Sequence, residues 1–205
     1  MAFFYMYNNY VFNKIHMNIP NQLTLSRIFI TPIIVLFLFV SVPFNYFIAA
    51  FLFLLGCLTD LLDGYIARKY NQGSKLGVFL DPMADKVFTY TFVLILLYFN
   101  VFPLWVTVLI FVRDLAVDAF INFSLTFNTF VKATYPGKYK SFFLSLAVLV
   151  GIFALSVKNG GSILGFNYAD LYNCAYFILI ISFLVGFIGV NSLMQQHYKK
   201  VIKEY

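Results

Sequence analysis

A chain of 205 residues that is 62% hydrophobic and only 11% charged departs far from the composition of soluble globular domains, which run roughly half apolar and a quarter charged. Its mean hydropathy of +0.86 excludes an ordinary soluble enzyme. The net charge of +6 is spread between apolar stretches, which excludes the continuous basic face that nucleic-acid binding needs.

A membrane-crossing helix needs about 20 mostly apolar residues. Six such stretches follow one another, at roughly 24–43, 45–68, 79–99, 103–127, 139–157 and 172–194. They consume nearly the whole length, so the expected fold is an all-α integral membrane protein with six transmembrane helices, forming one membrane domain over 23–205. Residues 1–22 lack the early basic region and small-residue cleavage site of a signal peptide. Rich in Phe, Tyr and Asn and containing Pro20, they read as an N-terminal interfacial helix.

The connections alternate in charge. Val42 to Asn45 and Asn100 to Phe102 carry none, and the connection after the fifth span has only Lys158 and Asp170, with Gly160, Gly161, Ser162 and Gly165 marking a flexible loop. On the other side lie Lys14, then Arg68, Lys69 and Lys75, then Lys132, Lys138 and Lys140, then Lys199, Lys200 and Lys203. The positive-inside rule puts these basic segments and both termini in the cytoplasm, in a multi-pass protein of the cell membrane. Cys57 and Cys174 read as small buried hydrophobes without a disulfide.

Of the eight acidic residues, all but Asp170 and Glu204 fall within predicted spans. A charge in hydrocarbon is expensive and normally faces a watery or protein-lined cavity; the competing explanation is partnership with a nearby Lys or Arg. Asp60 and Asp63 are three residues apart and Asp81 and Asp85 four, so each pair shares a helix face. The basic segment at 68–76 folds the second and third spans into an antiparallel pair and brings both pairs to the cytoplasmic end. The same faces carry the small residues Gly64, Ala67 and Gly77, leaving room for a ligand, whereas Leu61, Leu62, Tyr65 and Ile66 point elsewhere. Pro82 implies that Asp81 caps the third span or that the span kinks there. Crowded carboxylates repel one another unless cations intervene, and hard cations such as Mg²⁺ take such oxygen ligands together with substrate phosphate. Two such ions would clamp the attacking and leaving oxygens of a phosphoryl transfer.

The run Asp60-Leu61-Leu62-Asp63-Gly64-Tyr65-Ile66-Ala67-Arg68, followed by Gly77, Asp81 and Asp85, resembles the signature D-x2-D-G-x2-A-R-x8-G-x3-D-x3-D of the CDP-alcohol phosphatidyltransferase family. Every fixed position matches at the family spacing. The resemblance implies a six-helix membrane enzyme with cytoplasmic termini and an active site at the cytoplasmic face, commonly a homodimer. It implies that Asp60, Asp63, Asp81 and Asp85 hold divalent metal, Mg²⁺ or Mn²⁺ and as two ions, and that Asp85 also takes the acceptor's proton. It places the CDP-lipid against Gly64, Ala67, Arg68, Ser74 and Gly77, and against Leu23, Thr24, Leu25 and Ser26 at the entry to the first span.

The stretches 18–27, 80–86 and 137–141 look like the phosphatidylglycerophosphate synthase branch. This implies CDP-diacylglycerol and glycerol 3-phosphate as substrates, with Arg113, Lys138 and Lys140 as candidate cations for the anionic acceptor. Positive-inside anchoring explains Lys138 and Lys140 equally well. The branch usually shows Arg-Glu where this chain has Arg113-Asp114, and again where it has Ile121-Asn122. Asp118 also stands where a small polar residue is common. The rivals are a cardiolipin synthase using phosphatidylglycerol, or an inositol-phosphate or serine acceptor. Outside the family, a cation-coupled transporter would also explain buried Asp residues beside an interrupted helix, and a structural scaffold would make Asp85 dispensable.

Overall fold

The computed structural model describes residues 19–70, 75–126, 135–159 and 167–204. These form six helices: α1 (Ile19–Phe39), α2 (Asn45–Lys69), α3 (Lys75–Tyr98), α4 (Leu104–Thr126), α5 (Tyr135–Lys158) and α6 (Tyr168–Glu204). Four of them contain stretches long and apolar enough to cross a membrane: Asn21–Phe39, Asn45–Ile66, Pro136–Lys158 and Tyr168–Tyr198. The other two, α3 and α4, are of similar length but carry Asp81, Asp85 and Lys86, and Arg113, Asp114 and Asp118.

The boundaries differ from the sequence reading where local chemistry differs from hydropathy. Residues 19–22, assigned to the interfacial segment, are continuous with α1; Pro20 sits in the first turn, where no helical N–H is needed. Most of the expected interfacial helix, at 1–18, lies outside the described residues. α1 stops at Phe39, and the chain turns through Phe44 at φ 60°. α6 runs on to Glu204 because Gln195, Gln196 and the residues after them favour helix without being apolar. Pro82 lies inside a continuous α3, so Asp81 is not a helix cap.

The short connections at 40–44 and 99–103 reverse the chain tightly. Asn100 takes φ 59°, a left-handed conformation that Asn tolerates well, and Val101 and Phe102 donate back to the Leu96 carbonyl. α5 and α6 form the most extensive helix pair, α1 lies against α2 and α3, α5 packs on α2 and α3, and α4 leans on α6 and α3. One apolar core, built from residues such as Phe53, Phe92, Leu96, Val148 and Leu179, fills the centre. Gly56 is required where α2 meets α3: a Cβ there would overlap the Phe88 ring, which stacks on Phe53 at 5.0 Å between centroids. Phe29, Leu62, Leu104, Phe177 and many other large apolar residues face outward, as a lipid-facing surface does.

Candidate active site

Each helix brings its functional groups to the interior by periodicity. On α1 the buried face reads Asn21, Thr24, Arg27 and Thr31, then Ile34 and Leu38; the three- and four-residue steps keep one face inward while its chemistry changes from polar to apolar. α2 contributes Asp60 and Asp63, and α3 contributes Asp81 and Asp85. Thr24 joins the helices: its hydroxyl lies 2.7 Å from Oδ1 of Asp81 and 3.4 Å from Oδ2 of Asp63. Arg27 joins them again, with Nη1 paired to Asp60 and Nη2 paired to Oδ2 of Asp63 at 2.6 Å. Asp60, Asp63 and Asp81 are thus tied to α1, with the buried Arg27 guanidinium between Asp60 and Asp63.

A cavity of about 820 Å³ opens beside this cluster. Its lining includes Arg27, Asp60, Gly64 and Asp85, and also Arg113, Asp114, Lys138 and Lys140. Asp85 makes no hydrogen bond or ion pair with a described residue, while Asp60, Arg27, Lys140 and Lys86 are close enough to act on it electrostatically. Its carboxylate is thus available to a ligand.

Arg113 and Lys140 are anchored by Asp114 on α4. Its Oδ1 pairs with Arg113 Nη1 at 2.6 Å, and its Oδ2 accepts from Lys140 of α5 and from the Tyr90 hydroxyl of α3. Arg113 also donates to the Gly186 carbonyl of α6. Gly186 and Gly189 make this possible, because a Cβ at either would sit 3.2 Å from the Arg113 guanidinium. Lys86 pairs with Asp118 at the more open edge. Of the six aspartates that the sequence placed in spans, Asp60, Asp63, Asp114 and Asp118 thus do have cationic partners, as the competing explanation required.

Other expected residues are placed less centrally. Ser26 is exposed and its hydroxyl bonds the Leu23 carbonyl of its own helix at 2.7 Å; Leu23 and Leu25 are half-buried beside Thr24. Gly77 is buried on α3. Leu62 and Tyr65 point outward as expected, but Leu61 also reaches the cavity rim. Ala67 and Arg68 belong to α2, their side chains lying outside the described residues with Ser74. Cys57 and Cys174 are both unpaired, but they are not buried as expected: Cys57 is half-buried and Cys174 exposed.

The sequence reading passed over Arg27, Tyr90, Gly186 and Gly189. Arg27 was detectable: it is a charged residue inside the first predicted span, and the rule that flagged the aspartates applies to it equally. Tyr90 and the glycines become visible only when α3, α4 and α6 meet.

The donor chemistry suits a hard divalent cation. Asp60, Asp63, Asp81 and Asp85 offer only carboxylate oxygens, and the Arg27 guanidinium pairs with two of them, Asp60 and Asp63. Among the described residues no three His, Cys, Asp or Glu side chains are already arranged around one point, and oxygens of Asp60 and Asp63 are taken up by Arg27. It marks the place as one where positive charge is held.

Residues 17–188 match the family model for CDP-alcohol phosphatidyltransferase. This chain belongs to the CDP-alcohol phosphatidyltransferase family. It is therefore an enzyme of that family, and the transporter and scaffold readings fall away. Similar proteins include the CDP-diacylglycerol–glycerol-3-phosphate 3-phosphatidyltransferase of Bacillus subtilis, 32% identical over 75% of this chain and 84% of that one. The Rickettsia felis protein of the same name is 31% identical over 94% of this chain and 99% of its own. That of Aquifex aeolicus is 37% identical over 66% of this chain and 76% of its own.

Proposed function

We propose that this member of the family transfers the phosphatidyl group of CDP-diacylglycerol to sn-glycerol 3-phosphate, giving phosphatidylglycerophosphate and CMP. The observation that carries this reading is the shared cavity, which is lined both by the carboxylates Asp60 and Asp85 and by the cations Arg113, Lys138 and Lys140. A diphosphate-linked lipid and a phosphate-bearing alcohol need those two kinds of group in one cavity. Relatives named for this reaction support it along most of the chain.

Asp60, Asp63, Asp81 and Asp85 would hold divalent cation, Mg²⁺ or Mn²⁺ and two ions in our reading, whose charge offsets that of the diphosphate and makes phosphorus more electrophilic. Gly64 leaves space for the nucleotide, and Ala67, Arg68, Ser74 and Gly77 are assigned to the CDP-lipid with Leu23, Thr24, Leu25 and Ser26. Thr24 orients Asp81 and Asp63. Arg113, Lys138 and Lys140 bind the acceptor phosphate through charge-assisted hydrogen bonds. The acceptor hydroxyl then forms a bond from its oxygen to the phosphatidyl phosphorus, its proton passes to Asp85, and the bond from phosphorus to the CMP oxygen breaks. CMP leaves with the electron pair.

The proposed setting is a six-span homodimer in the cell membrane with cytoplasmic termini and the cavity open to the cytoplasm. Residues 1–22 form an interfacial segment, continuous with α1 from Ile19, and 23–205 the membrane domain. The alternating basic connections support this orientation. The test is CMP release by the purified protein in detergent, offered glycerol 3-phosphate, phosphatidylglycerol, inositol phosphate or serine, with Mg²⁺ or with EDTA. Mg²⁺-dependent release with glycerol 3-phosphate is expected; release with another acceptor alone would keep the family chemistry and overturn the substrate.

A further inference from the structure

Three features of Arg27 set it apart from a residue that only holds helices together. Its side chain is 1% exposed, yet it lines the cavity. Its two terminal nitrogens are spent on Asp60 and Asp63. Its Nε is buried with no hydrogen-bond partner, a costly arrangement for a donor shut away from water. A guanidinium serving only as structural glue is normally satisfied on all sides.

We propose that Arg27 is a positioning residue of the carboxylate cluster that competes with divalent cations for Asp60 and Asp63, and so sets the cation concentration at which the site fills. The inference rests on reading the four carboxylates as the cation site. Oxygen lone pairs given to Nη1 and Nη2 are withheld from a metal ion, and the guanidinium charge repels an arriving cation. The long, unbranched stem of Arg27 and the adjoining cavity give the guanidinium somewhere to go when a cation takes its place. Removing the charge at position 27 therefore acts in two opposite directions. The carboxylates repel one another more strongly and the fold weakens, but the site binds a divalent cation more tightly.

The experiment titrates Mn²⁺ into EDTA-washed full-length protein in detergent, reading free Mn²⁺ by paramagnetic resonance, with thermal unfolding followed in parallel against Mg²⁺. For Arg27→Gln the Mn²⁺ midpoint is expected to fall by about tenfold, the size of one lost charge contact in a partly polar site. Its unfolding temperature is expected to lie below wild type without Mg²⁺ and to approach it as Mg²⁺ saturates, since ligand binding stabilises by mass action. A purely structural role predicts a deficit that is the same at every Mg²⁺ concentration, and that result, or an unmoved or higher Mn²⁺ midpoint, overturns the proposal. Should Arg27→Gln not fold, Arg27→Lys decides. It keeps the charge but not the fork, so its midpoint is expected to fall by a smaller factor, and an unmoved midpoint is again contrary. Wild-type protein that binds no Mn²⁺ would overturn the cation reading together with this inference.

Discussion

Lys140 of α5 directs its ammonium group onto the carboxylate of Asp114 of α4, and both residues line the cavity. Asp114 also holds Arg113 and the Tyr90 hydroxyl, so one buried anion fixes the spacing of two cations. The two members of the pair should fail differently. Lys140→Met is expected to raise KM for glycerol 3-phosphate by about tenfold or more with a smaller loss in kcat, because charge-assisted contacts to phosphate are worth roughly twice neutral ones. Asp114→Asn leaves buried cations undercompensated and is expected to cost about 3 kcal/mol of stability, read as a fall in the unfolding temperature in detergent.

Asp85 lines the cavity and takes no bond from a described residue. Asp85→Asn removes the proposed proton acceptor while keeping the shape. Turnover is expected to fall by about 10²-fold or more, with the helical circular dichroism and detergent melting curve close to wild type. Steady-state CMP release and those two spectra test it together.

The Thr24 hydroxyl is shared between Asp63 and Asp81. Thr24→Val keeps the volume but leaves these oxygens without the shared donor, at a cost of about 1–3 kcal/mol. Activity is expected to drop with that loss, and Thr24→Ser to recover most of it. Equal activity in the Val and Ser variants would argue against an orienting role.

Gly56 lies against Phe88 with no room for a methyl group. Gly56→Ala is expected to destabilise the bundle by about 1–3 kcal/mol by overpacking, measured by thermal unfolding. Because Gly56, Phe53, Phe88 and Asp85 border the same cavity, its turnover should also fall.

Much of this architecture was legible in the residues. The spacing of Asp60, Asp63, Asp81 and Asp85 on two adjoining helices followed from helical periodicity, and the structure brings them together. Lys140, weighed evenly as a mere membrane anchor, is 9% exposed and ion-paired inside the bundle. Hydropathy found six helices but misjudged both extremes. The end of α1 is set by the turn at Phe44, and the end of α6 by polar residues that remain good helix formers.

What was not legible depended on contacts between distant segments. The pairs of Arg27 with Asp63 and Lys140 with Asp114 join residues 36 and 26 positions apart, and no local pattern marks them. The glycines at 186 and 189 carry no signal until Arg113 is seen lying across them. Pro82 leaves open from sequence whether Asp81 caps the third span or the span kinks there; α3 starts at Lys75 and continues through Pro82.

The central claim is that the acceptor hydroxyl oxygen forms the new bond to the phosphatidyl phosphorus in this cavity. The most direct test supplies purified protein and Mg²⁺ with CDP-diacylglycerol and glycerol 3-phosphate carrying ¹⁸O in its primary hydroxyl, with mass spectrometry of both products. The account predicts phosphatidylglycerophosphate that retains the label and CMP that is unlabelled. Label in CMP, or no phosphatidylglycerophosphate from folded protein, would contradict it.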